Sequence, residues 1–130
     1  MIEFFVPGTP QAQGNHRVSR SGRLYESNRA LASWREAVKL VATTARRGRS
    51  FDEPVAVAVE FRMPKPKRPR FLLPAVAPDL DKLCRAIGDA LESSGLIAND
   101  SRIVEWSAVK LYAEPGYPPG AFIRIRPVTN

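Results

Sequence analysis

Asp79-Leu80-Asp81-Lys82-Leu83-Cys84-Arg85-Ala86-Ile87-Gly88-Asp89-Ala90-Leu91-Glu92-Ser93-Ser94-Gly95 reads as a helix, and the residues after it turn and change to a strand period. Leu80, Leu83, Cys84, Ile87 and Leu91 recur at helical spacing and make one apolar stripe. Asp81, Arg85 and Asp89 stand at i, i+4 and i+8 on a polar face. Ser94-Gly95 supplies the stop, so the spacing predicts a helix over 80–93. Ile97-Ala98-Asn99-Asp100-Ser101 is a turn, and Arg102 to Tyr112 is an apolar-rich strand. A helix start and a strand start that can meet would bring together three carboxylates, Asp79, Asp81 and Asp100.

Upstream, Met63 to Pro78 holds Pro64, Pro66, Pro69, Pro74 and Pro78 interleaved with Lys65, Lys67, Arg68 and Arg70. Proline cannot donate to a sheet ladder, so this is an extended loop. Pro54 to Phe61 alternates and is β-branched, hence a strand. Leu31, Trp34, Val38 and Val41 form the apolar stripe of an earlier helix, with Ser27 or Asn28 suited to its N-cap and Arg46-Arg47-Gly48-Arg49 to its end. Thr9 to Glu26 is a long polar loop, and Ile2 to Val6 a first strand closed by Pro7-Gly8. Downstream, Glu114 to Gly120 is a Pro/Gly turn and Ala121 to Arg126 a last strand. The order is β-α-β-α-β-β without a repeat. It predicts one α+β domain over residues 1–130, a sheet covered by two helices, with the final two strands paired as a hairpin.

The 130 residues are enough to bury a core without staples. Apolar residues make up 44%, which argues against wholesale disorder. Twenty Lys and Arg against 13 Asp and Glu leave a net charge of +7, which favours a polyanionic partner, nucleic acid before an anionic membrane surface. Cys84 is the single cysteine, so no internal disulfide forms, as expected of a protein in a reducing cytoplasm. With His16 as the single histidine, a structural zinc site of about four Cys and His ligands is not expected. No apolar run approaches the roughly 20 residues of a membrane span, and no membrane association is expected.

The acids admit two readings. Asp79 follows Pro78 where a helix N-cap belongs, Asp81 lies in the first turn, and Asp100 suits a turn, so all three can be local structural residues. On spacing alone that reading is the more common one. The functional reading is that carboxylates gathered from different elements hold Mg²⁺ or Mn²⁺ beside a phosphate. Asp89 and Glu92 are read as solvated helix residues, with Asp89 paired to Arg85.

From Pro78 to Lys110 the chain closely resembles the RusA family of Holliday-junction resolvases. The carriers are Asp79-Leu80-Asp81-Lys82-Leu83, Asp89-Ala90-Leu91, Gly95, Asn99-Asp100 and Ile103-Val104, with weaker similarity around Asn15 and at Ala121-Phe122-Ile123. The resemblance implies a RusA-like mixed sheet and a homodimeric, Mg²⁺-dependent endonuclease that cuts four-way or branched DNA in recombination and repair, in a bacterium, phage or prophage. It implies that Asp79, Asp81 and Asp100 are the catalytic and metal-binding aspartates. Arg85 stands where the family has a catalytic lysine; it keeps the charge for a phosphate but cannot relay a proton. Lys82 stands where the family has Asn, and Asn99 replaces the first acid of a pair.

Lys65, Lys67, Arg68 and Arg70, with Lys82, are expected to grip phosphates beside the acids. Arg17 and Arg20 form a candidate second patch with Arg23, and Asn15 a candidate site residue. The rival readings are a non-catalytic branched-DNA-binding module and a related metal nuclease acting on flaps.

Overall fold

The computed structural model describes residues 1–14 and 23–128, with side chains of the second span described from Arg29 onward. The elements are β1 (Ile2–Pro7), α1 (Arg23–Arg46), β2 (Val55–Met63), α2 (Leu80–Ser93), a short 3₁₀ turn (Asp100–Arg102), β3 (Ile103–Tyr112) and β4 (Gly120–Pro127). This is an α+β fold with an open four-stranded mixed sheet in the order β1-β4-β2-β3.

Alternation along each strand decides which face is covered. Ile2, Phe4 and Val6 of β1, Ile123 and Ile125 of β4, and Val55, Val57, Val59 and Phe61 of β2 are all buried. Register aligns them in rows, Phe4 opposite Ile123 and Ile123 opposite Val59. Trp34, Val38 and Ala42 of α1 and Leu83, Ile87 and Leu91 of α2 complete the same core. The alternate residues Glu3, Arg124 and Arg126 remain exposed, tied by the ion pairs Arg124–Glu3 at 3.6 Å and Arg126–Glu105 at 2.9 Å.

Two expectations are corrected. The last two strands are not a hairpin: β3 runs parallel to β2, and β4 lies antiparallel on the other side of β2, between it and β1. A short Pro/Gly turn suggests adjacency, but β4 buries Ala121, Ile123 and Ile125 completely by taking a central position, which an edge place beside β3 would not do. Helix α1 begins at Arg23, ahead of Ser27 and Asn28. Ser and Asn lower helix stability by only about 0.5 kcal/mol each, less than the packing of the turns that follow, so they need not stop the helix.

Helix α2 spans the predicted 80–93. Its end is closed by Ser94 N–H to Ala90 O and Gly95 N–H to Glu92 O, with Gly95 at φ +79°. The segment after it is pinned to the α1–β2 connection by Phe51 N–H to Leu96 O at 2.8 Å and Ala98 N–H to Phe51 O at 2.9 Å. Leu96 and Ile97 are fully buried there, which fixes where Asn99 and Asp100 emerge. No helix among the described residues is long and apolar enough to cross a membrane.

Candidate active site

The polar face of α2 meets the start of β3 across a cleft of about 500 Å³. Asp81, Arg85 and Asp89 line one side, Asp100 and Ile103 the other, with Gln13 at the rim. Gly88 lets Trp106 lie close to the helix: a Cβ at this position would sit 3.6 Å from the indole Cζ2. The aromatic and Gly88 make part of the cleft lining apolar.

Asp100 is held by its surroundings rather than by its own side chain. Its N–H donates to Glu92 Oε1 at 2.9 Å, Asn99 Oδ1 accepts from Ser101 N–H at 2.9 Å, and Arg102 Nε donates to Asp52 Oδ1 at 2.8 Å. The backbone is thus fixed while the Asp100 carboxylate makes no hydrogen bond or ion pair among the described residues. Asp81, Asp89 and Arg85 likewise have no such partner there. The expected Asp89–Arg85 pair is therefore not formed, and Glu92, partly exposed, also positions Asp100.

Asp79 occupies the N-cap position of α2 but makes no side-chain capping bond; its backbone carbonyl accepts from Leu83 N–H at 3.1 Å. Its carboxylate lies 3.9 Å from Lys82 Nζ and does not line the cleft with Asp81 and Asp100. Among the described residues no three His, Cys, Asp or Glu side chains converge into a ready metal cage. The cleft does offer hard oxygen donors, the Asp81 and Asp100 carboxylates and Gln13 Oε1. That oxygen is buried without a hydrogen-bond partner among the described residues. Gln13 is pegged to α2 by its N–H, which donates to Lys82 O at 3.1 Å.

Cys84 also lines the cleft. Burial, and secondarily the Asp81 charge, raises its thiol to about 11, so it stays protonated at neutral pH.

Of the expected phosphate-binding cations, Lys67, Arg68 and Arg70 are exposed on the loop that leads into Asp79 and have no ion-pair partner among the described residues. Lys65 pairs with Glu114 at 3.0 Å. Asn15, Arg17 and Arg20 lie outside the described residues, as does the Arg23 side chain. Sequence reasoning missed Lys110, whose Nζ donates to Val76 O at 2.8 Å and Pro78 O at 2.9 Å and fastens that loop to β3. It also passed over Gln13 and the cleft-facing Asp89. The i+8 spacing from Asp81 was the available signal for Asp89.

A small basic α+β domain that opens unpaired carboxylates and an arginine into one cleft has the makeup of a protein that handles phosphate esters. Residues 7–126 of the 130 match the family Endodeoxyribonuclease RusA, and the chain belongs to that family. No curated protein matches it.

Proposed function

We propose that the protein is a divalent-metal-dependent endonuclease that resolves four-way DNA junctions as a homodimer, in recombination and repair. The observation that carries this reading is the shared cleft, in which Asp81, Asp89 and Asp100 present free carboxylates beside Arg85. Mg²⁺ is commonly held through one or two carboxylates and keeps several waters, so a full protein cage is not required. Asp81 and Asp100 would hold the ion, with Gln13 Oε1 as a neutral oxygen donor. When bound, Mg²⁺, or Mn²⁺ in its place, would supply an activated water and offset charge on the phosphate.

The remaining work falls to side chains. Arg85 presents a positive charge and a planar set of N–H donors to the scissile phosphate. Glu92 holds Asp100 in place through its N–H. Trp106 and Gly88 keep one wall of the cleft apolar. Lys67, Arg68 and Arg70 hold flanking phosphates, while Lys82 lies against Asp79 and tempers its charge. Symmetric resolution needs two cuts, which two copies related by a two-fold axis supply.

The test is cleavage of a synthetic four-way junction in Mg²⁺ or EDTA by the wild type, Asp81→Asn and Asp100→Asn, with the solution mass measured by light scattering. The wild type should cut only with metal and scatter light as a species of twice the monomer mass. Each variant should bind the junction yet lose cleavage on the order of 10²–10³-fold, the scale of losing one group that stabilises transition-state charge. Junction binding without metal-dependent cutting by the wild type would leave a DNA-binding module. Faster cutting of flaps than of junctions would reassign the substrate.

A further inference from the structure

The loop between β2 and α2, residues 64–79, is tied at both ends and bare in the middle. Lys110 holds the carbonyls of Val76 and Pro78 at one end, and Lys65 pairs with Glu114 at the other. Pro64, Pro66, Pro74 and Val76 line an open hollow of about 520 Å³ together with Met63, Tyr112 and residues 9–12. Between these anchors Phe71 is 42% exposed, Leu72 95% and Leu73 54%. Three consecutive large apolar side chains in water need a reason on a well-anchored loop. Lys67, Arg68 and Arg70 come directly before them, and the Arg70 guanidinium lies 5.0 Å from the centroid of the Phe71 ring.

Cations beside an exposed apolar cluster suit an anionic partner that can also accept greasy side chains. A stacked duplex offers phosphates but hides its apolar base faces. A branch point exposes them, because stacking is already interrupted there and inserting a side chain displaces less. The same loop runs without a break into Asp79 and the helix that lines the cleft. Its prolines limit the freedom lost on binding.

We infer that Phe71, Leu72 and Leu73 form a wedge that enters DNA at its branch point and unstacks a base step, while Lys67, Arg68 and Arg70 hold the adjoining phosphates. This rests on the reading of branched DNA as substrate. The wedge selects branched over linear DNA, and the cations supply affinity without that preference.

The experiment places 2-aminopurine beside the branch point of a four-way junction and replaces Mg²⁺ by Ca²⁺, so that binding is read without cutting. The wild type raises the fluorescence several-fold as the base unstacks. Phe71→Ala/Leu72→Ala/Leu73→Ala loses that rise, and its preference for junction over linear duplex falls on the order of tenfold, the scale of one lost base-stacking contact. Its salt dependence stays as in the wild type, because the cations are untouched. Leu72→Asp, at the most exposed position of the loop, reproduces the loss without threatening the fold. An undiminished rise in either variant overturns the wedge. So does a change in their solution mass, which would place the cluster between two copies, or Leu72-dependent binding to phosphatidylserine vesicles that exceeds junction binding. A wild type that unstacks the junction but fails to cut in Mg²⁺ overturns the nuclease reading and leaves the wedge standing; one that cuts with no fluorescence rise does the reverse.

Discussion

Cys84 shows how the cleft treats a group that does not take part. Its thiol shares the space with Asp81 and Asp100, yet burial first, and the Asp81 carboxylate second, raise it from 9.0 to about 11. Only the thiolate is nucleophilic, so at pH 7–8 the folded protein should react with iodoacetamide on the order of a hundredfold more slowly than an ordinary thiol. The rate should climb steadily as pH approaches 11. Asp81→Asn removes the smaller cause and should recover part of the deficit. Timed alkylation followed by intact mass checks this, and a rate at pH 7 equal to that of the urea-unfolded chain would contradict it. The roles of neighbouring residues were only partly readable beforehand. Spacing put Asp81, Arg85 and Asp89 on one face of a helix, but what lies across from that face is set by β3, far along the chain. Hence Asp89 read as solvated when it faces the cleft, and Glu92 as idle when it fixes Asp100.

Helix α2 was legible to the residue because independent signals agree on it. Its apolar stripe is unbroken, a proline precedes it, and Gly95 ends it at φ +79°, a conformation that costs glycine nothing. The start of α1 was not legible, since Ser27 and Asn28 look like caps but tolerate a helix interior. Within α2 the exception is Gly88, a poor helix former in mid-helix. Added at this position, a Cβ meets only Trp106 Cζ2 at 3.6 Å, an ordinary contact. Gly88→Ala should therefore stabilise the fold by up to about 1 kcal/mol, the propensity difference between the two residues. It should also put a methyl group into the cleft against Trp106. A higher Tm with slower junction cleavage is the expected pair of results; a lower Tm would mean the indole cannot yield.

Strand order is the part of the whole molecule that periodicity could not supply. Alternation marks a strand and its buried face, but neighbours are chosen by the burial of complete rows, and β4 gains most between β1 and β2. The overall charge of +7 was readable at once, as was the run of Lys65, Lys67, Arg68 and Arg70 on the loop before Asp79. The pairing pattern has a consequence for how the protein is made. β1 is made well before its partner: among the described residues it pairs with β4 alone, and β4 also supplies one whole flank of β2. Until residues 120–127 have been translated, Ile2, Phe4 and Val6 have no strand to lie against, and the sheet cannot close. Chains stalled before Gly120 should be cut readily by a nonspecific protease, and chains stalled well after Pro127 should resist it. A resistant core in the shorter chains would show that β2, α2 and β3 fold by themselves. Otherwise β1 waits unpaired until β4 has been made, and non-local closure of this kind is slow and exposed to misassembly. For this fold the interval before β4 is translated is when the nascent chain most needs a chaperone.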